Sequence, residues 1–88
     1  MAWGIEFTPR AAKAFRKLDK PVQARVRNFL KDVAALDDPR SRGKALVATK
    51  SGLWRWRVGD YRLVAEIVDH TVVIVVLDLG YRSTVYRD

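Results

Sequence analysis

A chain of 88 residues with 17 Lys and Arg against 10 Asp and Glu carries a formal charge of +7, and 49% of it is hydrophobic, enough for one core and one domain over residues 1–88. With no cysteine and a single histidine, His70, it is excluded from disulfide frameworks, thiolate nucleophiles, cysteine-based zinc sites and two-histidine acid–base pairs, so no metal and no cofactor is expected. No apolar run reaches the roughly 18 residues of a spanning helix, and the first residues lack the basic-then-apolar layout of a secretory signal; a cytoplasmic protein with no membrane partner is expected.

Residues 3–7 alternate apolar with other side chains and predict a short strand. Thr8 and Pro9 then supply a hydroxyl N-cap and a proline at the first helical position. Ala11, Ala12, Phe15 and Leu18 recur at helical spacing, Asp19-Lys20-Pro21 break and restart the helix, and Val22, Val26, Phe29, Leu30, Val33 and Leu36 mark a second amphipathic helix. Residues 37–43 read as a polar loop. Beyond it the hydrophobic period changes to two. Residues 53–58 and 61–68 predict strands joined by a two-residue turn at Gly59 and Asp60. Asp69 and His70 predict the next turn, followed by a strand over 71–77 that is apolar on both faces, as in a covered central strand, and that Gly80 ends. Residues 81–88 read as a short polar tail. The outline is β-α-α-β-β-β, an α+β domain with two antiparallel helices packed on one face of an antiparallel-rich sheet.

The charge is concentrated. Between Pro39 and Arg62 lie Arg40, Arg42, Lys44, Lys50, Arg55, Arg57 and Arg62, opposed only by Asp60, so this window holds +6 of the +7. A surface composed for solubility intersperses both signs; one basic window points to a polyanionic partner, nucleic acid above all. Within it, Trp54-Arg55-Trp56-Arg57 places both tryptophans on one strand face and both arginines on the other. The tryptophans are expected under the helices. With Gly59-Asp60 as the turn, Val58 pairs with Tyr61 and Arg57 with Arg62. Like charges so placed destabilise a hairpin by a few tenths to about 1 kcal/mol, whereas guanidinium forks match the oxygens of a phosphate. The alternative is an ordinary solvated face, with the arginine stems lying over apolar neighbours. His70 is expected as an exposed turn residue, and nothing in the spacing aligns Glu6, Asp60 and Glu66 as hydrolytic carboxylates.

The run Gly52-Leu53-Trp54-Arg55-Trp56-Arg57-Val58-Gly59-Asp60-Tyr61-Arg62-Leu63-Val64 and the tail Gly80-Tyr81-Arg82 … Val85-Tyr86 resemble the RelE branch of the RelE/ParE toxin superfamily. Element order and length extend the resemblance over essentially the whole chain. It implies the toxin of a type II toxin–antitoxin system: a metal-independent endoribonuclease, or mRNA interferase, that enters the ribosomal A site and cleaves the mRNA there. The implied partners are a cognate antitoxin, the 70S ribosome with its mRNA and rRNA, and operator DNA only through the antitoxin complex. Matched to the family pattern, Arg55 and Arg57 take the two basic positions of the first hairpin strand and Arg62 begins the next. Arg82 follows the last strand, and Tyr86 is the tyrosine near the C-terminus. These five form the expected catalytic set.

The two hairpin positions are often lysine in the family, and arginine cannot act as a base near neutral pH. Tyr86, matched to the family's tyrosine, is the leading general-base candidate if surrounding arginines depress its pKa. Arg82 is expected to orient Tyr86 or to stabilise the leaving group. The other cations of the window, Arg40, Arg42, Lys44 and Lys50, are expected at the RNA or ribosome surface. Two alternatives are a ParE-like gyrase inhibitor on the same fold, against which the arginines and the terminal tyrosine argue because ParE-like sequences generally lack that set, and a nucleic-acid-binding module without catalysis.

Overall fold

The computed structural model describes residues 2–45 and 52–81. In chain order these form β1 (Gly4–Phe7), α1 (Pro9–Arg16), α2 (Lys20–Ala34), a single turn of tighter helix at Pro39–Ser41, β2 (Lys44–Ala45), β3 (Leu53–Val58), β4 (Tyr61–Val68), a second tight turn at Asp69–Thr71, and β5 (Val73–Tyr81). The strands lie in one sheet in the order β1-β5-β4-β3-β2. β1 runs parallel to β5, and the remaining pairs are antiparallel.

Local chemistry accounts for the helices. The Thr8 hydroxyl accepts from the Ala11 amide at 3.2 Å and donates to the Leu77 carbonyl at 3.1 Å, so one side chain both caps α1 and fastens it to β5. Asp19 stands at the start of α2 without a side-chain capping bond. The junction is held by Gln23 instead, whose amide donates to the carbonyls of Phe15 at 3.0 Å and Leu18 at 3.1 Å. The apolar stripes then meet one face of the sheet. Ala11, Val26, Leu30 and Val33 pack with Trp56, Leu63, Ala65, Ile67, Ile74, Val76 and Leu79. Trp56 is 1% exposed, and its indole N–H donates to the Pro39 carbonyl at 3.3 Å.

Four features depart from the sequence reading. β2 adds a two-residue strand beyond the expected 37–43 loop. The β4–β5 turn extends over Asp69–Thr71 and closes with Val72 in the left-handed region, φ 55°, a costly conformation for a β-branched residue; its amide bonds the Asp69 carbonyl and its carbonyl accepts from Gly4. On the face away from the helices, Val73, Val75 and Leu77 are only half-buried, so β5 is not covered equally on both sides. Finally, β5 continues through Gly80 to Tyr81 with a bulge. Val64 pairs with Asp78 but Ala65 pairs with Val76, leaving Leu77 as the extra residue. Strict alternation from Ile74 and Val76 would drive Asp78 into the core. The bulge turns Leu79 inward and moves Asp78 to the opposite face.

Candidate functional site

The β3–β4 register is the expected one: Val58 faces Tyr61, Arg57 faces Arg62 and Trp56 faces Leu63, around a turn in which Gly59 has φ 60°. β2 extends the pattern, since Lys44 stands opposite Arg55. Opposed residues share a sheet face, and Trp56 and Leu63 occupy the helix face. Lys44, Arg55, Arg57 and Arg62 therefore gather on the other face as two neighbouring like-charge pairs. Repulsion costs each pair up to about 1 kcal/mol, while the hairpin register is held by the apolar pairs on the reverse side.

The arginines differ in access. Arg57 is exposed, Arg62 is half-buried with its Nε shielded from solvent, and Arg55 is only 8% exposed. On the same face, Asp78 is 7% exposed; its Oδ1 accepts from the Leu79 amide at 2.9 Å and its Oδ2 pairs with Arg10 at 3.2 Å. Register puts it opposite Val64, diagonal to Arg62, which itself faces Gly80. Sequence reasoning passed over Asp78. The available signal was a single carboxylate in an otherwise apolar strand.

At the edge of β3 the face continues into a cavity of about 290 Å³, lined by Phe29, Arg42, Gly43, Lys44, Arg55 and Arg57 over Trp56. The Trp54 indole donates to the Arg42 carbonyl at 2.7 Å, and the Arg42 guanidinium lies over the Phe29 ring at 4.7 Å. The two indoles of β3 thus clip the Pro39–Ser41 turn and the segment after it onto the strand.

Arg40 is placed otherwise than expected. Its guanidinium donates to Asp69 at 2.8 and 3.1 Å and to the Ile67 carbonyl at 3.4 Å, tying the Pro39–Ser41 turn to the β4–β5 turn. Hydrogen bonding to Asp69 raises the Arg40 pKa, and the same bond holds Asp69 below the usual carboxylate range. Engaged in this internal pair, Arg40 stands apart from the cationic face. His70 is exposed in its turn, as expected. Lys50, Arg82 and Tyr86 lie outside the described residues. β5 ends with Tyr81 opposite Tyr61, their rings 5.6 Å apart and edge to face.

The family model of the ParE toxin of the type II toxin–antitoxin system parDE matches residues 5–86. The chain belongs to the RelE/ParE toxin superfamily. The mRNA interferase toxin RelE of Escherichia coli is 33% identical to this toxin over all of its chain and 94% of the relative's. Toxin RelG of Mycobacterium tuberculosis is 31% identical over 99% of each. Among solved structures, the toxin–antitoxin complex RelBE2 of M. tuberculosis is similar with a TM-score of 0.80 at 28% identity, covering 94% of both chains. The archaeal RelE–RelB complex of Pyrococcus horikoshii has a TM-score of 0.74 at 25% identity, over 97% of the toxin and 100% of the compared chain. The RelE-like α+β fold expected from the sequence is the one these superpositions show.

Proposed function

We propose that this toxin is a ribosome-dependent endoribonuclease that cuts mRNA in the A site, and that a cognate antitoxin neutralises it. The observation that carries the reading is the opposed Arg57–Arg62 pair, with Arg55 alongside, on the sheet face that the helices leave open. Direct opposition of like charges costs the hairpin stability, and planar guanidinium forks match the oxygens of a phosphodiester. In the proposed reaction the ribose 2′-OH attacks the adjacent phosphorus while the bond to the 5′-oxygen breaks, leaving a cyclic phosphate and a 5′-hydroxyl. Fixed donors aimed at the charge that builds on the phosphorane supply the largest stabilisation, a role suited to Arg55, Arg57 and Arg62. Tyr86 takes the 2′-OH proton, water protonates the leaving 5′-oxygen, Arg82 orients Tyr86 or steadies that oxygen, and the ribosome imposes the in-line geometry. Gly80, two residues before Arg82 in the sequence, faces Arg62.

The names of the relatives support the chemistry: RelE of E. coli is an mRNA interferase. The RelE–RelB complexes support the antitoxin. Purified toxin added to translating ribosomes should produce cuts at A-site codons, mapped by primer extension. Folded toxin that leaves the mRNA intact would overturn the proposal. The matching family model is that of the ParE toxin, which supports a second reading, the gyrase inhibition that the resemblance to ParE implies. A supercoiling assay separates the two, because a nuclease leaves gyrase turnover unchanged.

A further inference from the structure

We infer that the cavity at the β3 edge is a subsite for one nucleotide of single-stranded RNA, adjoining the linkage gripped by Arg57 and Arg62. This rests on the RNA-directed reading above but not on cleavage.

The cavity opens where the sheet stops. β2 pairs with β3 only at Trp54 and Arg55, so among the described residues no strand covers the outer edge of β3 from Trp56 to Val58. Among the described residues that line it, four are cationic, Arg42, Lys44, Arg55 and Arg57, and none is acidic. Arg55, at 8% exposure, forms the buried back of the cavity wall, and Lys44 stands opposite it on β2. Arg57 belongs both to this wall and to the pair facing Arg62, which makes the subsite continuous with the proposed scissile position.

Arg42 is held before any ligand arrives. Its carbonyl is fixed by the Trp54 indole and its guanidinium lies over Phe29. A cation positioned in this way loses less side-chain entropy on binding than a free surface arginine. The volume, about 290 Å³, exceeds what a phosphate group alone requires, and unstacked bases lie readily on aromatic rings and on guanidinium planes. A duplex keeps its bases inside and cannot use such a site. A nucleotide with its phosphate towards Lys44 and Arg55 and its base towards Arg42 and Phe29 satisfies both halves of the cavity.

The test is fluorescence anisotropy of the purified full chain with a labelled single-stranded RNA of about 12 nucleotides and with the same strand carrying abasic residues, over a range of salt concentrations. Arg42→Ala should weaken binding of the intact strand about tenfold with little change in the slope of log affinity against log salt, whereas Lys44→Ala should flatten that slope by about one contact. The wild type should bind the abasic strand several-fold more weakly, and Arg42→Ala should not distinguish the two strands. Arg42→Lys, which keeps the charge should the alanine variant unfold, should retain the salt slope and lose the discrimination. Unchanged affinity in folded Arg42→Ala, or a wild type indifferent to missing bases, would overturn the subsite. If Arg42→Ala weakens binding to ribosomes only when mRNA fills the A site, the nucleotide is messenger; an equal loss on vacant ribosomes assigns it to ribosomal RNA. A toxin that binds RNA in this way yet never cuts it keeps the subsite and loses the nuclease, whereas cleavage with Arg42 immaterial to binding does the reverse.

Discussion

Arg57 and Arg62 stand directly opposite each other across the β3–β4 hairpin, on the sheet face that the helices leave uncovered. The pairs that hold the hairpin together, Trp56 with Leu63 and Trp54 with Ala65, lie on the reverse side. Arg57, the exposed member of the pair, should therefore separate stability from activity. Replacing it by alanine removes a like-charge opposition, so urea unfolding should report stability unchanged or raised by up to about 1 kcal/mol. Loss of a fixed donor to the developing charge should slow A-site cleavage by about two to three decades. A variant that loses stability and keeps its activity would assign the pair a structural role.

Tyr86 tests the proton-transfer half of the mechanism. General acid–base help contributes about two to four decades, so Tyr86→Phe should slow single-turnover cleavage by that factor while the affinity for ribosomes stays within about threefold. A matching loss of affinity would mark Tyr86 as a binding residue.

Gly43 sits at φ 88°, packed against β3. A Cβ there would collide with the Arg55 carbonyl oxygen and come within 2.7 Å of Trp56 Cδ1 and 2.8 Å of Trp54 Nε1. Gly43→Ala should cost at least about 1–3 kcal/mol from the backbone conformation alone, read by urea unfolding. Tryptophan emission should shift to the red as the segment lifts from the indoles.

Thr8 joins the α1 cap to the bulge carbonyl of Leu77. Thr8→Ala should lower stability by about 1–2 kcal/mol, and Thr8→Ser should recover most of it. Equal losses in the two variants would trace the effect to the methyl group.

The Arg40–Asp69 pair gives stability a defined acid dependence. Bonding to Arg40 lowers the folded-state pKa of Asp69, so its contribution is complete above the unfolded value of about 4 and is lost as pH falls through the lowered folded value. The pH dependence of unfolding free energy should therefore be shallower below about pH 4 in Asp69→Asn than in the wild type. Parallel profiles would show that the pair contributes nothing to stability.

The hairpin and its cationic face were legible in the sequence because their causes are local. Alternation along Trp54-Arg55-Trp56-Arg57 assigns faces, and the glycine of the turn sets the register, so the Arg57–Arg62 opposition follows from neighbours only a few positions apart. The helices were legible for the same reason, through the Thr8 cap and the spacing of their apolar residues.

What the tertiary structure alone decided depends on segments remote in sequence. The bulge at Leu77 answers to pairing with β4 and sends Asp78 to the arginine face, against the phase of its own strand. β2 exists because Lys44 and Ala45 find Arg55 and Trp54. Arg40 is an internal tie because a turn 29 residues away brings Asp69 to it. The cavity exists because α2, β3 and the segment carrying Arg42 converge at one edge. Periodicity and turn chemistry act along the chain and report which way a residue points; they carry no information about which distant residue it meets, since only the packed core brings such residues together.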